Sequence, residues 1–116
     1  DALQAADFTV NSGFLTSNGI LKDEGGQDGG LFKVIFVRYF TRLIVDAAFD
    51  PSKKSDYVNF LRVNGESLWS KGTNKGNLLF GSAWDKAPGG STDLTVQLSG
   101  IMLVEALAEL KKGQLF

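Results

Sequence analysis

The chain has 116 residues, 13 acidic and 12 basic side chains, a formal net charge of −1, and neither cysteine nor histidine. These absences exclude a disulfide framework, a thiolate nucleophile, and the commonest general base and transition-metal ligand. Balanced, scattered charge argues against nucleic acid as a partner, and charged residues interrupt the longest apolar run before it could span a membrane. We expect a single domain over residues 1–116 with one hydrophobic core.

Fourteen glycines against two prolines divide the chain into short apolar segments. This punctuation predicts a mainly β fold, either an antiparallel sandwich or a curled sheet, with an α-helix at the C-terminal end. In residues 7–22, Asn18-Gly19 is typical of a two-residue hairpin turn, because both residue types tolerate positive φ. We therefore expect an N-terminal β-hairpin.

Residues 22–30, KDEGGQDGG, combine three carboxylates with four glycines. Asp23, Glu24 and Asp28 are hard oxygen ligands of the kind that bind calcium, which makes them weak metal candidates. Their spacing does not match a helix–loop–helix calcium site. The sequence favours a solvated, flexible interaction loop with no bound metal and no cofactor.

Residues 31–45 are apolar at nearly every position. A strand would place Phe32, Val34, Phe36 and Phe40 on one face and Ile35, Val37 and Tyr39 on the other. A helix competes, since Arg38, Arg42 and Asp46 are spaced four apart on one stripe. We favour a strand to about Tyr39, leave the extent of strand within residues 31–49 open, and expect these apolar residues to contact copies of the chain.

The second half of the chain carries further strand signals. Asn64-Gly65 predicts a hairpin turn between apolar runs that begin near Tyr57 and Leu68. Residues 94–99 alternate between apolar and polar, as in a half-buried strand. The tail over residues 101–112, with its terminal lysines and Gly113, predicts a helix of about three turns, although an extended strand also fits its pattern.

Trp69 and Trp84 lie beside glycine-rich segments, with Asn74, Asn77 and Asp85 nearby. Flat aromatic faces flanked by amides and a carboxylate are suited to binding a sugar or another small ligand. The competing interpretation is that both tryptophans are structural and partly buried.

No pair of side chains has the spacing of a catalytic site, and the sequence predicts a protein that is not an enzyme. Ser52-Lys53 and Ser70-Lys71 fall in polar segments where each lysine would stay solvated. We expect a structural, self-assembling subunit of a virion, filament or extracellular assembly, with copies of itself as partners. The alternative is a secreted carbohydrate- or small-ligand-binding module.

Overall fold

Four α-helices form the framework of the molecule, which a computed structural model describes over all of its residues, Asp1–Phe116. They are α1 (Ala2–Asn11), α2 (Phe32–Asp46), α3 (Pro51–Ser70) and α4 (Leu94–Lys112), and a 3₁₀ turn (Gln27–Leu31) precedes α2. Two antiparallel hairpins pair β1 (Thr16–Ser17) with β2 (Ile20–Leu21) and β3 (Thr73–Asn74) with β4 (Leu79–Phe80). The predicted mainly β fold, sandwich or curled sheet, is therefore wrong.

Helix α2 replaces the strand predicted from residue 31 onward. Its buried positions, Val37, Phe40 and Ile44, recur at the spacing of one helical face. The strand prediction failed because nearly every position is apolar, so the alternation of a strand and the spacing of a helix fit the sequence equally well. Arg42 lies on the solvent side, where it pairs with Asp46 one turn away.

Helix α3 runs straight through Asn64-Gly65, where the sequence predicted a turn. Asn64 is fully buried, and its Nδ2 donates to the carbonyl oxygens of Phe60 and Gly19 while its Oδ1 accepts from the amide of Leu21. A Cβ at Gly65 would collide with the side chain of Leu107. Asn64 and Gly65 thus allow α3 to pack against the first hairpin and α4. A local turn pattern in the sequence cannot reveal these contacts.

Helix α4 confirms the predicted C-terminal helix and extends it toward the N-terminus, through the segment that alternates like a strand. It runs from Leu94 to Lys112, with Lys111 and Lys112 in its last turn and Gly113 as its C-cap. The predicted strand over residues 94–99 is wrong, since Val96, Ser99 and Gly100 lie on the buried face of a helix.

The Asn18-Gly19 hairpin is confirmed. It joins β1 to β2, and Asn18 and Gly19 both have positive φ, 53° and 78°. The residues before it do not form a strand, because α1 occupies them. Asp1 caps α1 by accepting from the amide of Gln4, and the Gln4 side chain accepts from the N-terminal amine in return.

A cluster of aromatic rings forms the core between α2 and α3. Phe40 stacks on Phe36 with ring centres 4.8 Å apart, tilts against Tyr57 at 4.9 Å, and meets Phe60 edge-on at 6.1 Å. Such offset and edge contacts stabilise by about 0.5–1.5 kcal/mol each beyond the area they bury. Phe49 extends the cluster against Tyr57.

Large apolar side chains also remain on the surface. Two helices carry stripes of them: Phe32, Ile35 and Tyr39 on α2, and Leu94, Leu98 and Ile101 on α4. Of the residues predicted as an interface, Val37 and Phe40 are buried, Val34 and Phe36 are half-buried, and Phe32, Ile35 and Tyr39 are exposed. No helix here combines the length and the apolar character that crossing a bilayer requires.

Candidate functional site

The largest polar cavity lies between the glycine-rich loop, residues 22–30, and a second loop, residues 81–93, which leads into α4. Its volume is about 470 Å³. It is lined by two carboxylates, an ammonium group, hydroxyls and several backbone segments, including Asp23, Ser82, Lys86, Thr92 and Asp93. This is a surface of hydrogen-bonding groups suited to a ligand with many hydroxyls.

Glycines let the first loop approach α4 more closely than any side chain would allow. A Cβ at Gly26 would collide with the carboxylate of Asp93, and one at Gly30 would lie 2.6 Å from the hydroxyl of Thr95. The carbonyl of Gly30 accepts instead from the buried hydroxyl of Ser99. The composition of KDEGGQDGG therefore reflects a loop packed onto a helix.

The two carboxylates of the cavity are held in place by hydrogen bonds. Asp23 accepts from the amide of Gly25 at 2.8 Å and from the hydroxyl of Ser82 at 3.0 Å, so it links the two loops. Asp93 accepts from the amide of Gln27 at 2.9 Å. Fixed carboxylates of this kind are ready to accept hydrogen bonds from ligand hydroxyls.

A buried lysine lies beneath the second loop. Lys33 of α2 is 5% exposed, donates to the carbonyl oxygen of Ser82, and holds its Nζ 4.4 Å from the ring centre of Trp84. Burial lowers the pKa of Lys33 from its ordinary value to about 8, against the opposing pull of Asp23, Glu24 and Asp85. Burial also raises the pKa of Glu24, which lies beside it.

The asparagines predicted as ligand-binding residues shape the second loop. Asn74 Nδ2 donates to the carbonyl oxygen of Gly89 at 3.0 Å, and Asn77 Nδ2 donates to the same oxygen at 3.3 Å. Asp85 is exposed at the outer side of this loop. These residues thus lie around the cavity wall without appearing among the groups that line it.

The two tryptophans lie in different environments. Trp84 is 1% exposed, so protein encloses its ring, and its backbone carbonyl oxygen accepts from the hydroxyl of Ser67 at 2.8 Å. Trp69, at the end of α3, is 58% exposed, but Lys75 Nζ lies 3.1 Å from its ring centre and occupies one face. Neither ring lines the cavity.

The weak metal candidates are not brought together. No three acidic side chains in the molecule converge in a cluster that could hold a metal ion, and Asp23 and Glu24 instead serve the loop and Lys33. The sequence patterns missed Lys33 and Ser82, and no spacing singled out Asp93. The one available signal was a lysine inside an otherwise apolar run, which indicates a buried lysine whose charge is compensated by specific partners.

A second polar cluster shares no residue with the cavity. Asp7 of α1 accepts from Lys53 Nζ at 2.8 Å and from the hydroxyl of Tyr57, both on α3. The hydrogen bond from Lys53 is the main reason that the pKa of Asp7 lies below its ordinary value. Burial, followed by the neighbouring Asp7, raises the pKa of Tyr57. This cluster fastens α1 to α3 and is structural.

Solved structures of other proteins reveal similarities to this chain that its sequence patterns did not indicate. The chain is 43% identical, with a TM-score of 0.90, to a GH76 α-1,6-mannanase from Salegentibacter sp. HEL1_6, over 94% of this chain and 32% of that one. Inactive variants of that mannanase, with two consecutive aspartates replaced, match equally well and hold α-1,6-mannotriose or α-1,6-mannotetrose. No protein-family model and no curated protein matches the sequence.

A protein from Listeria innocua is similar too, at 35% identity and a TM-score of 0.80, over 97% of this chain and 30% of that protein. The chain therefore spans about a third of the length of the solved proteins it matches. Bound glycan is thus present in two of the mannanase structures that match this fold.

These similarities overturn the functional predictions. Nearly the whole chain corresponds to part of an enzyme, so the prediction of a non-enzymatic, self-assembling structural subunit is wrong. An independent carbohydrate-binding module is not favoured either, since the match is to a glycoside hydrolase. The present sequence contains no two consecutive aspartates like those replaced in the inactive mannanase variants.

Proposed function

We propose that this chain forms one part of a glycoside hydrolase that acts on α-1,6-linked mannan. The observation that carries the proposal is the 43% identity to the mannanase, at a TM-score of 0.90, over 94% of the chain. Similarity at this level spans the loops as well as the helices, and function depends on the loops. An extracellular location stays a prediction, and it suits an enzyme whose substrate is a polymer.

In this proposal the chain supplies a wall of the glycan-binding cleft. The cavity offers the carboxylates of Asp23 and Asp93 and the hydroxyl oxygen of Thr92 as acceptors and Lys86 as a donor, which matches the hydroxyl groups of a mannose unit. Hydrolysis with two carboxylates requires both on opposite sides of the scissile bond. We assign that pair to the remainder of the enzyme, because this sequence lacks consecutive aspartates.

The exposed apolar stripes support a larger enzyme. On α4, Leu94 is 74% exposed, Leu98 40% and Ile101 39%, and their spacing places them on one face of the helix. A contiguous apolar face of this kind is typical of a surface that another element covers. We propose that the rest of the hydrolase packs on this stripe and on the exposed part of the predicted interface, Phe32, Ile35 and Tyr39.

A chimera tests the function. Replacing the matching third of the Salegentibacter mannanase by this chain should give a folded enzyme that releases reducing ends from α-1,6-mannan. Asp23→Asn combined with Asp93→Asn should raise the KM of that chimera, because both carboxylates line the cavity. Asp46→Asn is the matched control, since Asp46 is exposed on α2 outside the cavity.

Two outcomes would count against the proposal. A chimera that folds cooperatively yet hydrolyses no glycan would refute it. A chimera that prefers another α-linked polysaccharide would keep the hydrolase and exclude mannan as the substrate. The circular dichroism of the chimera at its working temperature separates loss of function from loss of structure.

A further inference from the structure

Lys33 is placed unlike the other lysines of the chain. It projects from the first turn of α2 into the interior, where it is 5% exposed, and its ammonium group lies between a carbonyl oxygen and an indole ring. Burying an ammonium group is costly unless specific partners compensate, so this position needs a reason. The partners supply one, because they all belong to the two loops around the cavity.

Each contact of Lys33 leads to the cavity wall. Ser82, whose carbonyl oxygen accepts from Lys33, donates through its hydroxyl to Asp23 on the opposite loop. Trp84, which lies against the same ammonium group, accepts through its backbone carbonyl oxygen from the hydroxyl of Ser67 of α3. One side chain therefore connects α2 to the middle of the 81–93 loop and, through Ser82, to the acidic loop.

We propose that Lys33 is a positioning residue that fixes the 81–93 loop, and with it Ser82 and Asp23, in the geometry that binds glycan. It does not line the cavity, so it acts through the loop rather than by touching the ligand. Its effect on glycan affinity rests on the proposed function, whereas its effect on the loop does not.

Several charged groups surround Lys33, and the protonation of its ammonium group can be followed by experiment. Asp23 and Glu24 face it from the acidic loop and Asp85 from the second loop, while Lys22 borders the same small pocket as Glu24 and Lys33. The pKa of Lys33 near 8 means that its ammonium group loses its proton in mildly alkaline solution. The neutral amine still donates to Ser82, so the attachment persists while the charge beside the indole disappears.

The experiment uses Trp69→Phe, which leaves Trp84 as the only tryptophan, and adds Lys33→Met to remove the ammonium group at nearly constant length. Lys54→Met is the matched control. Lys54 Nζ also donates to a carbonyl oxygen, that of Ala47 at 3.2 Å, and lies 5.1 Å from the ring centre of Phe49. Fluorescence of Trp84 is followed against pH, and hydrogen exchange is measured at the Gly81 and Lys86 amides, which are hydrogen-bonded in this loop.

We expect Trp84 emission to change with a midpoint near pH 8 in the protein that retains Lys33 and to show no such step in Lys33→Met. Lys33→Met should also speed exchange of the two loop amides and weaken binding of α-1,6-mannotriose, each by about tenfold, as expected when a buried carbonyl loses its donor. Lys54→Met should change none of these.

The inference is overturned if Trp84 shows no step, if the step survives Lys33→Met, or if loop exchange is unchanged in a folded variant. Tenfold faster exchange with unchanged glycan affinity would contradict the positioning role. Absence of glycan binding in every variant would refute the proposed function instead, and the fluorescence and exchange results would still decide whether Lys33 fixes the loop. If Lys33→Met does not fold, Lys33→Gln takes its place, and the same exchange and glycan-binding measurements decide the matter.

Discussion

The helical and loop halves of this molecule are held together by different forces. Between α2 and α3, the rings of Phe36, Phe40, Tyr57 and Phe60 interlock, and stability comes from buried apolar area and ring contacts. Around the cavity, long loops are held by individual hydrogen bonds and by glycines that allow close approach. The packing of α2 against α3 tolerates small changes of side-chain shape, whereas the loops around the cavity depend on individual hydrogen-bonding atoms.

This difference separates the scaffold from the functional site. Apolar packing is non-directional and fixes the helices without specifying any chemistry. The polar loops fix where carboxylates and carbonyls point, which a ligand with many hydroxyls requires. Substitutions in the two regions should therefore differ in both size and kind.

The largest effect is expected from Phe40→Ala in the aromatic cluster. Phe40 is 3% exposed and contacts three other rings, so its loss leaves a cavity and should lower the free energy of unfolding by about 3–5 kcal/mol. Chemical denaturation measures this. Tyr39→Ala, next to it but 67% exposed, should change stability by less than about 0.5 kcal/mol. Equal effects of the two substitutions would contradict the assignment of the core.

A smaller but still large effect is expected from Asn64→Ala, which tests the hydrogen bonds between α3 and the first hairpin. The substitution removes three hydrogen bonds at a fully buried position and leaves the Leu21 amide without its partner. We expect a loss of about 2–3 kcal/mol. Asn59→Ala, on the exposed side of the same helix, is the control and should be nearly neutral. A neutral Asn64→Ala would show that packing alone holds the first hairpin on α3.

Gly100→Ala tests how closely α4 packs against β4. A Cβ at Gly100 would collide with the ring of Phe80, so α4 and β4 would have to separate. Overpacking, partly offset by the better helix propensity of alanine, should cost about 1–2 kcal/mol. Gly89→Ala is the matched control, because its Cβ would meet nothing within 4 Å. A stabilised Gly100→Ala protein would mean that this contact is loose.

The smallest effect, about 1 kcal/mol for each pH unit, concerns pH and Lys33. The pKa of Lys33 is lower in the folded protein, about 8, than its ordinary value, so between these values the unfolded chain binds more protons. The free energy of unfolding should therefore rise as pH increases above 8, and Lys33→Met should lack this component. Urea denaturation at several pH values measures it. A decline in wild type that Lys33→Met does not share would reverse the assigned sign.

Part of this architecture could be predicted from the sequence. The Asn18-Gly19 hairpin and the C-terminal helix rest on local chemistry, namely positive φ and helix-stop residues, and both are present. Asn64-Gly65 has the same local signal as Asn18-Gly19 but lies inside α3, because the contacts of Asn64 with the hairpin and of Gly65 with Leu107 outweigh its turn propensity. Those contacts join residues far apart in sequence.

The site was harder to predict for the same reason. Asp23 and Ser82 are 59 positions apart, Gln27 and Asp93 are 66 apart, and no local pattern brings them together. The glycines of residues 22–30 suggested flexibility, whereas Gly26 and Gly30 serve close contact with α4. The apolar surface of residues 31–45 was recognised from composition, but its separation into buried and exposed faces requires the helix.

The most direct experiment is to map where glycan binds on the chain. It shows whether the loops around the cavity contact the substrate while the packed helices serve as scaffold. Backbone amide chemical shifts of the 116-residue chain would be followed as α-1,6-mannotriose is added, with maltotriose as the control sugar. We expect saturable shifts confined to residues 23–30 and 81–96, and none with maltotriose. Saturable shifts centred on the aromatic cluster of α2 and α3, or no shift at any concentration of mannotriose, would contradict it.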